Sequence, residues 1–271
     1  ATNFPDAAIK ILTLGDDNAN GTSGSDLIAT LDGNDTVNGL GGNDKILGGA
    51  GVDTLDGGDG MDHLYGFASD DTLTGGAGDD YIVGGLGSDM ISGGDGDDTI
   101  EAQTGDDTIT TGAGTDTLYA GLGDDRITID GSGVKQIDGG AGTDALAISY
   151  SGISSLGDFA ISQNGDYTVL TDRNGSSVSY KNIESLKVGS LAYTEDTKAK
   201  TYYNASEKAL YMYNGANMSN SHDFFTVIYN ATYSREADDF FNPMYNSTNN
   251  FGVTDGSGSV SYTHLTLPTI E

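Results

Sequence analysis

The chain has no cysteine and no tryptophan, and only three prolines in 271 residues. Without cysteine there is no disulfide framework and no thiolate metal site. Basic residues are scarce: 11 Lys and Arg stand against 41 Asp and Glu, a formal charge of −30. Nucleic acid and anionic membrane surfaces would repel such a chain, whereas cations would be drawn to it. No run of about 18 apolar residues occurs, so nothing reads as a membrane span. The opening ATNFPDAAIKILTL lacks an initiator Met and a basic stretch ahead of an apolar one. It reads as the interior of a longer chain, not as a signal peptide. Catalytic signatures are missing too, with no G-x-S-x-G, H-E-x-x-H or G-x-G-x-x-G run. No catalytic residue is assigned, and the stretch is read as non-enzymatic; an enzymatic domain elsewhere in a longer parent stays open.

What the chain holds in excess is glycine, 42 residues, and aspartate in register. High charge with low hydrophobicity is a disorder signature. A disordered polyanion, however, has no reason to keep a period. A nine-residue frame set at Gly21 runs without a gap to Thr128, twelve units in all. The sixth place is Asp throughout: Asp26, Asp35, Asp44, Asp53, Asp62, Asp71, Asp80, Asp89, Asp98, Asp107, Asp116 and Asp125. The eighth is aliphatic throughout, from Ile28 and Val37 to Leu118 and Ile127. The fourth is Gly everywhere except Ser69. After the inserted Ile129, a weak unit carries Lys135 where Asp is due, and a complete unit closes at Ala147.

Such a fixed period marks a solenoid. A three-residue strand around the eighth place turns its aliphatic side chain inward and its neighbours outward. The six residues between strands read as turns, where glycine permits positive φ and close backbone approach. Two nonads make one coil. Twelve nonads give six coils of parallel strands, a stack about 29 Å long at about 4.8 Å per coil. Residues 21–128 hold 22 acidic and 2 basic residues, so something positive must bind. Calcium suits carboxylate and carbonyl oxygens in flexible geometry, whereas magnesium demands a tighter octahedron. Zinc would want His or Cys; His63 sits at an outward seventh place and reads as a surface residue. The run Asp16-x-Asn18-x-Asn20-Gly21 begins like an EF-hand loop, but its twelfth place is Leu27, not the Glu such a loop needs. It reads as the leading turn of the solenoid.

The frame GGxGxDxUx resembles the RTX (hemolysin-type) calcium-binding nonapeptide repeat, a recognised solenoid signature. Blocks starting at Gly48, Gly57, Gly75, Gly84 and Gly93 carry the full GGxGxD. The resemblance covers about half the chain. It implies an all-β fold, a right-handed parallel β-roll followed by a β-rich capping region. It also implies ions held between turns of adjacent coils, pairing each Asp with the one two nonads later, from Asp26/Asp44 to Asp107/Asp125. The ligand set it implies is the twelve aspartates with backbone carbonyls of Gly49, Gly51, Gly58, Gly60, Gly76, Gly78, Gly85, Gly87, Gly94 and Gly96. Up to about ten calcium ions would then bind. The turns GFASDD (66–71) and TLDGND (30–35) depart furthest from the pattern. The fifth-place acids Asp70, Asp79, Asp97, Asp106 and Asp124 read either as extra ligands or as a solvated acidic face.

The family also implies a role. A module unfolded in a calcium-poor cytosol would thread a type I secretion channel and fold outside the cell. The chain is expected to be secreted, extracellular or at the cell surface, as part of a larger hydrolase or toxin. The alternative is a calcium-stiffened part of an adhesin or surface-layer protein.

The expected organisation is a lead-in over 1–20, the roll over 21–147 and a β-rich cap over 148–196. Hairpin signals within the cap are Asn164-Gly165 and Asn174-Gly175. A Tyr/Asn-rich β region follows over 197–259. Residues 260–271 contain VSYTHLTLPT, which resembles a translated sequencing adapter and is read as a non-native tail.

Overall fold

The computed structural model describes residues 9–196 continuously, and 201–204, 209–212, 225–228, 253–254 and 260–261 beyond them. It divides into two units, Ala1–Ser190 and Leu191–Glu271.

In the first unit, successive strands alternate between two parallel sheets. One sheet stacks β1 (Ile9–Ile11), β3 (Leu27–Asp32), β5 (Lys45–Ala50), β7 (His63–Ala68), β9 (Tyr81–Leu86) and β11 (Thr99–Thr104). The other stacks β2 (Asn18–Asn20), β4 (Thr36–Asn38), β6 (Thr54–Asp59), β8 (Thr72–Ala77) and β10 (Met90–Asp95). The long β12 (Thr108–Leu122) serves both sheets, its first half beside β10 and its second beside β11. Then come β13 (Arg126–Ile129), β14 (Gly133–Ala141) and β15 (Ala145–Ile148). Partners lie two nonads apart, as in Leu64↔Ile82 and Ile82↔Ile100. The result is a parallel β-solenoid of about 8 turns.

The strands are longer than the three residues expected. A typical strand such as Thr54–Asp59 covers places seven to nine of one nonad and one to three of the next. Positive φ at the second place, as at Gly58 (100°), bends the strand without ending its pairing, since Gly58 still faces Gly76. Three residues per nonad turn inward: the aliphatic at place eight, the Asp at place six, and a small residue at place one. Ile46, Leu64, Leu73, Ile82, Ile100 and Ile109 are fully buried. Place one admits only small residues because the next coil presses on it. A Cβ on Gly75 would lie 2.5 Å from Gly93 O.

The cap opens on a 3-10 turn, Leu156–Asp158, closed by a reciprocal Ser155/Asp158 capping box. β16 (Phe159–Asn164) and β17 (Tyr167–Asp172) pair antiparallel across Gly165–Asp166, one residue later than the Asn164-Gly165 turn expected. β18 (Ser177–Lys181) pairs antiparallel with β17 and parallel with β14. β19 (Ser185–Val188) lies parallel to β15. The cap thus covers the end of both sheets, burying Leu156, Phe159, Leu170, Val178 and Tyr180. A solenoid needs such cover for its terminal coil.

In the second unit, Leu191–Asp196, Thr201–Asn204, Ala209–Met212 and Phe225–Ile228 form an antiparallel meander, and Val253–Thr254 pairs with Val260–Ser261. The remainder of the 197–259 region and the tail from 262 onward lie outside the described residues. Among the described residues no helix is long and apolar enough to cross a membrane.

Candidate metal centre

All twelve sixth-place aspartates point into the roll; none is more than 4% exposed. Each of the ten expected pairs is brought together. The backbone N–H of one Asp donates to Oδ1 of the Asp one coil on: Asp26 to Asp44 at 2.7 Å, Asp80 to Asp98 at 2.9 Å, Asp107 to Asp125 at 2.8 Å. The remaining seven pairs repeat this bond. Two columns of carboxylates therefore run along the solenoid, one on each edge. Asp89 belongs with Asp71 and Asp107, opposite Asp80 and Asp98.

That bond uses one carboxylate oxygen. The other, Oδ2, is buried and accepts no hydrogen bond at Asp35, Asp44, Asp53, Asp62, Asp71, Asp80, Asp89, Asp98, Asp107, Asp125 and Asp144. A buried, unpaired charged oxygen is costly. Its surroundings supply more oxygens, not donors. A Cβ on Gly39 would sit 2.4 Å from both Asp44 Oδ2 and Gly57 O. The same relation holds at Gly75, with Asp80 Oδ2 at 2.3 Å and Gly93 O at 2.5 Å.

Burial, acting against the backbone N–H bond, pushes these carboxyls up from 3.8. Asp44, Asp53, Asp98 and Asp144 rise to about 6, and Asp71, Asp80 and Asp107 to about 7. Burial likewise raises Asp62, Asp89, Asp116 and Asp125. Neighbouring carboxylates add to the rise, for Asp80 those of Asp98, Asp62 and Asp79.

The proposed glycine carbonyls separate into two kinds. Second-place glycines Gly49, Gly58, Gly76, Gly85 and Gly94 lie inside strands. The second-place carbonyl of Leu40, just past the end of β4, accepts the N–H of Asp59 at 3.0 Å. Fourth-place glycines Gly51, Gly60, Gly78, Gly87 and Gly96 lie just past the strand ends, with φ from 123° to 144°. Their carbonyls face the next coil, so that a Cβ on Gly96 would lie 2.0 Å from Gly78 O. His63 stays exposed, its ring 5.7 Å from that of Tyr81.

The departing turns keep their shape at a cost. Leu31, Leu40, Phe67 and Gln103 at place two take φ of 78° to 81°, and Ser69 at place four takes 89°. These are left-handed values that strain any side chain. Asp71 in the GFASDD turn nevertheless remains buried with the same bond to Asp89.

Three features escaped the sequence reading. The fifth-place side chains form a second ladder, running opposite to the first. Asp79 Oδ1 accepts from Asp97 N–H at 2.9 Å, and Asp97 Oδ1 from Thr115 N–H at 2.7 Å. Asn34, Asn43 and Ser88 serve equally. The signal was present: place five carries a short oxygen-bearing side chain in every unit of the main run except those of Val52 and Met61. These exposed acids are ladder acceptors as well as a solvated face. Second, Lys135 is fully buried, its ammonium 2.5 Å from Asp116 Oδ2 and 2.8 Å from Gly114 O. Third, Glu184 of the cap receives the N–H of Asp144 at 2.7 Å. Glu184 lies outside the nonad frame, so no local pattern marked it.

Buried carboxylate oxygens, inward carbonyls, a nine-residue period and an internal ammonium at one carboxylate all describe a scaffold for hard cations. The family model described as RTX calcium-binding nonapeptide repeat (4 copies) matches residues 13–46, 20–55, 30–64, 56–91 and 92–127. Residues 13–127 are an RTX array. RTX repeats bind calcium, and their β-roll is a structural module rather than a catalytic one. No curated protein matches the chain. The donor set fits calcium well. The RTX array offers oxygen donors only, in a glycine-rich backbone able to adjust to six or more ligands.

Proposed function

We propose that the array is a calcium-conditional folding module of a larger secreted protein, aiding its export and its folding outside the cell. The observation that carries this reading is the eleven buried Asp Oδ2 atoms, spread over the two columns, that accept no hydrogen bond. Like charges stacked in register oppose folding unless a cation joins them. Calcium would supply positive charge and coordinate the surplus oxygens. The twelve sixth-place aspartates would hold it, together with fourth-place carbonyls such as those of Gly60, Gly78 and Gly96. The ten pairs among the twelve sixth-place aspartates of residues 21–128 set a limit of about ten ions for that run.

At the low calcium of a cytosol the polyanion would stay open and fit a type I secretion channel. At the 10⁻⁴–10⁻³ M typical of extracellular calcium modules it would close into the roll. Circular dichroism during calcium titration tests this, with a cooperative gain of β signal expected. Magnesium at equal concentration should do much less. No change up to about 10 mM calcium, well above that range, sinks the proposal.

A further inference from the structure

The two carboxylate columns end differently at the C-terminal end of the roll. On one edge, Asp98 is followed by Asp116 and then Lys135, whose register partner is Asp116. The chain itself provides the cation there, and Asp116 Oδ2 is satisfied by the ammonium. On the other edge Asp107, Asp125 and Asp144 follow one another, with Asp125 N–H on Asp144 Oδ1 at 2.9 Å. No lysine closes this edge among the described residues. Lys181 of the cap is engaged with Asp138 at 2.8 Å.

Instead the cap continues the acidic column. Asp144 N–H donates to Glu184 Oε2 at 2.7 Å, across 40 residues of sequence, just as Asp107 donates to Asp125 and Asp125 to Asp144 on this edge. The N–H groups of Glu184 and Ser185 both return to Asp144 O at 3.0 Å. Asp144 is 1% exposed, and its Oδ2 accepts no hydrogen bond. The Asn182 carbonyl turns to the same place. A Cβ on Gly139 would be 2.7 Å from Asp144 Oδ2 and 2.0 Å from Asn182 O. This repeats the Gly75 arrangement of Asp80 Oδ2 and Gly93 O, with a cap carbonyl replacing the repeat's own.

We infer that Asp144 Oδ2, the Asn182 carbonyl and the Glu184 carboxylate bind one divalent, oxygen-preferring cation that fastens the cap to the last coil. The site lies beyond the matched residues 13–127 and takes two of its three donors from outside any nonad. The inference rests on the calcium reading of the array. Its chemistry mirrors the opposite edge: where Lys135 ends a column the charge is built in, and where Glu184 ends one it is recruited. The cap would then lock only after calcium has reached the final coil.

The test uses the full chain with calcium chloride as the only added ligand. Bound ions are counted by equilibrium dialysis, and hydrogen exchange is followed separately at 185–188 and at 63–104. Glu184→Gln retains an acceptor for Asp144 N–H but removes the charge. The variant should bind one ion fewer. Protection of 185–188 should need at least tenfold more calcium, while 63–104 responds at unchanged calcium. In calcium-free buffer, variant and parent should exchange alike. An unchanged ion count with an unchanged midpoint at 185–188 overturns the cap site alone. A cap already altered without calcium also overturns it, since Glu184 would then be only a structural acceptor. A parent chain that neither binds calcium nor changes its exchange anywhere overturns the array reading and the cap site together.

Discussion

Lys135 Nζ lies 2.5 Å from Asp116 Oδ2 with both side chains buried, so the roll carries one cation of its own within a column of carboxylates. Removing one partner of a buried pair leaves an uncompensated charge and typically costs about 3–5 kcal/mol. Lys135→Met, similar in volume, should therefore lower stability by about that much at saturating calcium, as read by urea denaturation. Lys135→Asp should instead restore the repeat, add one bound ion and make the last coil depend on calcium. Equal stability of the Met variant and its parent would show that the ammonium carries no such role.

The fifth-place ladder separates hydrogen bonding from charge. Asp97 accepts from Thr115 N–H and donates its own N–H to Asp79. Asp97→Asn keeps the acceptor and should change stability by only a few tenths of a kcal/mol. Asp97→Ala leaves Thr115 N–H to water and should cost about 1 kcal/mol. If the acids were a solvated face and nothing more, the two variants would behave alike in chemical denaturation.

Period and strand placement were readable because a solenoid repeats each contact, whereas the pairing of aspartates across two nonads came from the family resemblance. One register error would move every Ile, Leu and Val of the eighth place away from the core. The inward turn of Asp80 or Asp98 was harder to read, since buried carboxylates contradict the usual preference of charge for water. Strand length was underestimated because glycine at places one and two resembles a turn; only the pairing Gly58↔Gly76 reveals that the ladder continues through it. Glu184 was invisible for a different reason. Its partner Asp144 is 40 residues away, and that distance reflects an inserted hairpin rather than any period.

Ser69 is the one place-four residue of the main run that is not glycine, and it holds φ of 89°. A left-handed side chain costs about 1–2 kcal/mol. Ser69→Gly should therefore stabilise the calcium-loaded roll by about 1 kcal/mol, after allowance for the added freedom of the unfolded chain. Phe67→Gly should gain less, because it also gives up the stacked ring of Tyr65 at 6.0 Å. Urea midpoints at saturating calcium would rank the two. A loss of stability in Ser69→Gly would mean that the hydroxyl, not the backbone, governs this turn.

Acidity should act in opposite directions with and without calcium. Burial raises Asp71, Asp80 and Asp107 to about 7, and Asp44, Asp53, Asp98 and Asp144 to about 6, from an ordinary value of 3.8. Between about pH 4 and pH 7 the folded chain then binds more protons than the unfolded chain. Stability without calcium must therefore fall as pH rises through this window. In calcium-stripped buffer the β signal should be weakest near pH 8 and grow towards pH 5, as protonation removes the repulsion within each column. With calcium present, protons compete for the same oxygens, so the calcium midpoint should move to higher concentration as pH falls. Circular dichroism at pH 8, 6.5 and 5, with and without calcium, reads both trends. A calcium-free chain that loses β structure on acidification across this window would show that these carboxyls are not held buried and neutral, and would remove the electrostatic basis for a calcium-gated fold.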